Sequence, residues 1–189
     1  MAGMRWQRLF EDLAAQQAAL ERRELAAEIA EHTRAERGQV ELAHRLVSGI
    51  GGTLRLRVRG VGRLGGRLTD VGADWLLLDA PAGSSAGREQ LVPLAALLAV
   101  EGLTVRADPG EGSASRRLGL RHALRAVSRD RAPVRVHDLA GDHETGTIDA
   151  VLADHLDLTR HADDEQRRPG TVRGRVALPY AVITLVRRL

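Results

Sequence analysis

Two stretches decide the fold: GRLTDVGADWLLLD at residues 66–79 and GTIDAVLADHLDLT at residues 146–159. Both open on glycine, both carry an Ala-Asp pair at the same place, and both then carry leucine at the same two alternate positions, 76 and 78 in the first and 156 and 158 in the second. Alternation with a period of two predicts half-buried β-strands. Because the two stretches match at one constant offset, the sequence predicts an internal duplication.

The match extends outward from this pair in both directions. Upstream, Leu54 corresponds to Val134 at the same offset. Downstream, VPLA at residues 92–95 corresponds to LPYA at residues 178–181, where a longer loop in the second copy has changed the offset. Each copy therefore predicts a helix followed by four or five short strands. Such a set can close into a small β-barrel, which removes the unpaired edges of a small sheet.

The predicted fold class is α+β, with an N-terminal α-helical segment followed by two tandem small β-barrels, each preceded by a helix. Residues 116–129 return to helical spacing and supply the second of these helices. The predicted domains are a helical arm that packs on barrel one, a first barrel, a loop with a basic inter-barrel helix, and a second barrel, over residues 1–50, 51–104, 105–133 and 134–189.

The N-terminal helix is predicted over residues 4–36, which lack glycine and proline and are rich in good helix formers. Its apolar stripe consists of Trp6, Leu9, Phe10, Leu13 and Leu20. In the first copy Trp75 and Leu77 occupy the strand face that His155 and Asp157 occupy in the second. Since a strand that is apolar on both faces needs a cover on both, we expect this helix to pack over Trp75 and Leu77, from its own chain or a partner chain.

The second copy carries a family resemblance in GTID at residues 146–149, in DHLDL at residues 154–158 and in the apolar strand at residues 180–186. With a short preceding helix, this arrangement resembles the Sm-like fold, and the bacterial RNA chaperone family Hfq is its nearest version. The resemblance covers residues 40–103 and 118–189. It implies a bacterial protein with an SH3-like barrel fold, and RNA as the class of ligand.

The family's RNA-site residues do not carry over to this chain. The Hfq family reads uridine with a Tyr-Lys-His triplet before the last strand, and the matching positions here are residues 178–180 (LPY) and 92–94 (VPL). Eukaryotic Sm proteins use an asparagine after the second strand, whereas this chain contains none. The resemblance therefore implies a fold and a ligand class without naming site residues.

The amino-acid composition excludes some kinds of site and limits what the charge of the chain can indicate. The chain has no cysteine, which excludes disulfides and thiolate metal sites. All 28 basic residues are arginine, the pattern of a GC-rich genome, and the net charge is only +3, so charge alone does not indicate nucleic acid. Residues 1–12 lack the apolar segment of a signal peptide, and no run approaches the ~18 apolar residues that span a bilayer. We therefore expect a cytoplasmic protein with no membrane contact.

Catalytic and cofactor motifs are weak. Residues 60–65 (GVGRLG) match the dinucleotide-binding fingerprint. That motif needs a helix directly after the glycines, and residues 66–74 are too short and too rich in Gly, Thr and Val to form one. No histidine pair has metal-binding spacing with a third ligand in place. We expect no catalytic residue, no cofactor and no metal, and hence no enzyme.

Two groups of arginines are the candidate nucleic-acid-binding residues. One group alternates along the first strand and the other recurs every fourth residue along the inter-barrel helix, and such stripes suit phosphate backbones. The candidates are Arg55, Arg57, Arg59, Arg117, Arg121, Arg125 and Arg129.

The predicted function is a non-catalytic binding protein that binds RNA or another nucleic-acid backbone through Arg-rich surfaces. Only four aromatic residues are present, which disfavours binding by base stacking. The alternative is a protein-interaction or oligomerisation scaffold without nucleic acid. Self-association would then use helix 4–36 or the barrel edges.

Overall fold

The computed structural model describes residues 3–38, 40–81, 89–104, 117–161 and 174–189. Within these ranges the α-helices are α1 (Gly3–Gly38), α2 (Leu42–Val47) and α3 (Leu120–Arg129). The strands are β1 (Thr53–Val58), β2 (Gly62–Val71), β3 (Trp75–Asp79), β4 (Glu89–Pro93), β5 (Leu97–Glu101), β6 (Val134–Asp138), β7 (His143–Val151), β8 (His155–Arg160), β9 (Arg175–Pro179) and β10 (Ile183–Arg188). The chain divides into two compact units, Met1–Glu41 and Leu42–Leu189.

The first unit consists of α1, whose range agrees with the helix predicted over residues 4–36. Three of its apolar side chains, Leu20, Leu25 and Ile29, are exposed. The side chains of the other stripe residues, Trp6 to Leu13, lie outside the described residues. The packing expected of this stripe stays a prediction.

The second unit corrects the predicted fold class. Its described strands form one ten-stranded antiparallel sheet in the order β5-β1-β2-β3-β4-β10-β6-β7-β8-β9, and not two tandem barrels that are each preceded by a helix. Neither set of five strands closes on itself, because β4 pairs with β10 from the second set. Hydrogen bonding therefore continues from one set into the next, and the sheet stays open with β5 and β9 at its edges.

The same geometry nevertheless occurs at equivalent positions in the first half (residues 42–104) and the second half (residues 117–189). The pairing register shifts between Leu68 and Asp70 on β2, and it shifts again between Ile148 and Ala150 on β7. The amide N–H of Leu94 donates to the carbonyl oxygen of Asp74 at 2.8 Å, and Tyr180 donates to Asp154 at the same distance. The four leucines expected to point inward on β3 and β8 are all fully buried: Leu76, Leu78, Leu156 and Leu158.

Strand β10 contributes to two hydrophobic cores. Leu185 is fully buried in the first core, which also contains Leu56, Leu68 and Val92. The next residue, Val186, points to the opposite side and is buried in the second core with Leu124 and Leu156 of α3 and β8. The two halves therefore share a strand whose successive side chains belong to different cores.

Helix α3 covers Trp75 on the outer face of β3. Trp75 is buried in the second core together with Leu120 and Leu124. Its indole Nε1 donates to the carbonyl oxygen of Leu118 at 2.8 Å. The carboxylate of Asp74 accepts from the backbone N–H of Leu120 at 2.6 Å and so caps the start of α3. The apolar outer face of β3 is thus matched to a helix of the same unit.

Candidate nucleic-acid interface

The first cluster of basic side chains forms where β5, β1 and β2 lie side by side. Strand β1 alternates strictly, with its leucines and valine buried and its arginines exposed. Arg57 lies opposite Arg63 on β2, and Arg55 lies opposite Glu101 on β5. Cross-strand partners point to the same face of a sheet, so these side chains converge.

This cluster lines a groove of about 630 Å³, which we call the first basic face. The residues on this surface are Arg55, Arg57, Arg63, Gly65, Ala99 and Glu101. Among the described residues, no carboxylate lies within ion-pairing distance of Arg55, Arg57 or Arg63. Three guanidinium groups are therefore available to an anion, with one acidic neighbour.

The second half carries a counterpart, the second basic face, on β10, β6 and β7. The equivalent positions hold Arg135, His137, His143, Thr145, Leu185 and Arg187. His137 lies opposite His143 with ring centroids 5.4 Å apart, and Arg187 lies opposite Arg135. The duplication therefore places basic groups at the same strand positions twice.

Burial and mutual repulsion disfavour the charged forms of side chains on the second basic face. The pKa of His137 is lowered to about 4, and burial is the largest cause. The positive charges of Arg187, His143 and Arg135 add to the lowering, and the nearby Asp138 opposes it. Burial also lowers the pKa of Arg187, with Arg135 adding to the effect. His137 Nε2 and Arg187 Nε are buried and have no hydrogen-bond partner among the described residues. An anion bound here would offset the repulsion between the positive charges and would accept hydrogen bonds from the unpartnered nitrogens.

The lowered pKa of His137 predicts a loss of stability in acid. The unfolded chain takes up a proton near the ordinary pKa of 6.5, whereas the folded chain takes it up only near 4. The free energy of unfolding should therefore fall as the pH drops from 6.5 towards 4. Because His137 is half-buried, we expect about 1–2 kcal/mol rather than the ~3 kcal/mol of a fully desolvated group.

Urea unfolding at pH 7 and pH 4.5 measures this effect. His137→Gln should reduce the difference between the two pH values, and His122→Gln, at an exposed position on α3, should leave it unchanged. An equal pH dependence in wild type and His137→Gln would contradict the assignment.

The arginines predicted on the inter-barrel helix differ in their position and exposure. Arg117 precedes α3, Arg121 and Arg129 are exposed, and Arg125 is half-buried. Arg121 and Arg125 lie close enough to Tyr180 to lower its pKa, although burial of the phenol has the larger, opposite effect.

The C-terminal end of α3 also faces acidic groups. Arg129 lines a separate cavity of about 450 Å³, and Asp70, Glu89 and Asp130 line the same cavity. Two of these acids pair with Arg188, at 3.3 Å for Glu89 and 3.0 Å for Asp130. Carboxylates of β2 and β4 therefore line the same cavity as the last arginine of the predicted stripe.

Of the predicted site residues, the structure brings Arg55 and Arg57 together with Arg63 and leaves Arg59 at the end of β1, outside the groove lining. Sequence reasoning missed the second basic face. The signal was present in the sequence, because the positions that correspond to Arg55, Arg57 and Glu101 in the second copy are Arg135, His137 and Arg187.

The dinucleotide fingerprint and other site types find no support in the geometry. Strand β2 begins at Gly62, so a strand and not a helix follows the first glycines. In the described part of the chain no group of three His, Asp or Glu side chains could hold a metal ion. None of the described helices combines the length and apolar character needed to cross a membrane.

Comparison of the chain with known proteins identifies no relative. No protein-family model, no curated protein and no solved structure matches the chain.

Proposed function

We propose that this protein is a non-catalytic binding protein that holds the phosphate backbone of a nucleic acid on its basic faces. The observation that carries the proposal is the first basic face, where Arg55, Arg57 and Arg63 share one groove. Guanidinium groups bind phosphate oxygens in a bidentate manner and release condensed counterions, which makes such binding strong at low salt and weak at high salt.

The proposed contacts are to phosphates rather than to bases. Trp75 is buried, and the hydroxyl of Tyr180 donates to the carbonyl oxygen of Leu152 at 2.9 Å. Neither Trp75 nor Tyr180 belongs to a basic face, so neither offers a ring there for a base to stack upon. Phosphate contacts fix position without reading sequence, so the proposed binding is largely independent of base sequence.

Charge reversal in the groove tests this proposal. Arg55→Glu combined with Arg57→Glu should lower the affinity for a fluorescein-labelled single-stranded RNA of mixed sequence on the order of tenfold or more at low salt. Two lost phosphate contacts should also reduce the slope of log affinity against log salt by about 2. Fluorescence anisotropy at two salt concentrations measures both quantities.

The matched control is Arg121→Glu with Arg129→Glu, which reverses two arginines on α3. We expect a smaller loss of affinity, because acidic groups already adjoin that end of the helix. An equal or larger loss in the control would move the site to α3. Absence of RNA binding by wild type at low salt would contradict the proposal and favour a scaffold without nucleic acid.

A further inference from the structure

A row of side chains crosses four neighbouring strands on one face of the sheet, through the joint where β4 pairs with β10. Asp70 on β2 lies opposite Leu77 on β3, and Leu77 lies opposite Leu91 on β4. Leu91 in turn lies opposite Val186 on β10. Because cross-strand partners point to the same face, the row is apolar along three strands and ends on a carboxylate.

Helix α3 faces this row across the cavity of about 450 Å³ that Arg129 also lines. Ala123, Ala126 and Val127 line the cavity from the helix, and their spacing of three and four residues places them on one helix face. The volume lies within the range of about 300–1,000 Å³ that is usual for sites of small organic molecules. The cavity therefore has an apolar floor, an apolar wall and the size of a ligand site.

The rim of the cavity carries more negative than positive charge. It contains the carboxylates of Asp70, Glu89 and Asp130 and the guanidinium groups of Arg129 and Arg188. Arg188 is shared by two of the acids, at 3.3 Å from Glu89 and 3.0 Å from Asp130. The surplus of carboxylates favours a cation over an anion as the charged part of an occupant.

Asp70 is the carboxylate that is available to such a cation. It is half-buried, and its Oδ1 accepts a hydrogen bond from the backbone N–H of Val71 at 2.8 Å. In the part of the chain that the structure describes, no positively charged side chain lies within ion-pairing distance of Asp70. Arg129 has no ion-pair partner there either, but it is exposed, so solvent and salt screen its charge.

The second half does not repeat this arrangement. Asp157 and Ala177 occupy the positions that Leu77 and Leu91 occupy in the first half, and they likewise lie opposite each other. Ala150 replaces the carboxylate at the end of the row. The apolar row with its terminal carboxylate therefore belongs to the sequence of the first half and does not follow from the duplicated fold.

We propose that this cavity binds a small organic cation with an apolar body, whose ammonium group pairs with Asp70. The apolar body lies between α3 and the sheet, where Leu77 and Val127 are only partly buried, and covering them supplies affinity. The charge-assisted hydrogen bond to the carboxylate supplies selectivity for a cation. This function is separate from nucleic-acid binding, because Val186 and Arg187 are successive residues of β10 and point to opposite faces of the sheet.

Three probes with the same apolar body and different charges test the proposal: phenylbutylamine, phenylbutanol and phenylbutyrate. Trp75 lines the cavity, so in the full-length Trp6→Phe variant its fluorescence reports binding. The amine should bind about tenfold more tightly than the alcohol, the usual effect of one hydrogen bond to a charged group, and the carboxylate should bind more weakly than either. An amine that does not bind, or that binds no more tightly than the alcohol, would overturn the proposal.

Two substitutions locate the site. Asp70→Asn should lower the affinity for the amine about tenfold and leave the affinity for the alcohol unchanged. Ala126→Phe fills the cavity from an exposed position on α3 and should abolish binding of both probes. The matched control is His122→Phe, which is exposed on the same helix outside the cavity lining and should bind like wild type.

Far-ultraviolet circular dichroism checks that each variant keeps its fold. Unchanged affinity of folded Asp70→Asn for the amine would overturn the role of the carboxylate. Unchanged binding by folded Ala126→Phe would overturn the location of the site.

Discussion

Replacing Leu185 with alanine lowers the free energy of unfolding by about 2–5 kcal/mol, the range for a leucine removed from a packed core. Leu185 is fully buried, yet it lies on a strand of the second half and packs in the core of the first. The side chain therefore links two halves that the sequence presents as separate. The matched control is Leu98→Ala on the exposed side of β5, which should change stability by no more than ~0.5 kcal/mol.

The same variant shows whether the halves unfold together. Trp75 is a residue of the first half that packs in the second core, so its fluorescence reports on the contact between the halves. A Trp6→Phe background leaves it as the sole tryptophan. In urea, Leu185→Ala should shift the Trp75 transition by as much as the transition seen by far-ultraviolet circular dichroism. A Trp75 midpoint that does not move would show that the halves unfold independently and would contradict the shared role of β10.

Replacing Gly146 with alanine should destabilise the protein by about 3 kcal/mol, the upper part of the range for overpacking. A Cβ at this position would overlap the carbonyl oxygen of Thr159 and would lie 3.0 Å from Cγ of Leu158. The backbone of β8 cannot move aside without breaking its pairing with β7. Gly66→Ala should behave alike, because its Cβ would overlap the carbonyl oxygen of Asp79 on β3.

Thermal unfolding of the purified variants measures this effect. The control is Gly38→Ala at the end of α1, where nothing lies within 4 Å of the added carbon. A Gly146→Ala variant that melts within a few degrees of wild type would show that β7 and β8 are not in this close register.

The sequence predicted the positions of the strands and their buried faces, but it did not predict which strands pair with each other. Alternating leucines such as Leu76 and Leu78 identified the buried face of β3, because period-two patterning depends on that strand alone. The partner of β4 could not be read in this way. A closed barrel and an open joint bury the same face of β4 and differ only in which strand supplies the hydrogen bonds. The barrel prediction was therefore wrong although the strand pattern beneath it was sound.

The candidate site likewise has features that the sequence predicted and features that it did not. The exposure of Arg55 and Arg57 followed from alternation with buried neighbours. Their convergence with Arg63 depends on the turn between β1 and β2, which fixes the register, and only the structure supplies it. The stripe on α3 follows helical spacing, but Asp70 and Glu89, which line a cavity with Arg129, come from distant parts of the sequence, so spacing alone does not reveal them.

The place of β10 in the chain has a consequence for synthesis. Leu91 and Val186 pair in the sheet, and the stretch between them takes roughly 5–20 s to leave the ribosome at usual rates of translation. During that interval the first half has an open β4 edge and lacks Leu185. A nascent chain therefore completes its first core only after most of its second half has been made, and neighbouring ribosomes on one message bring such open edges close to one another.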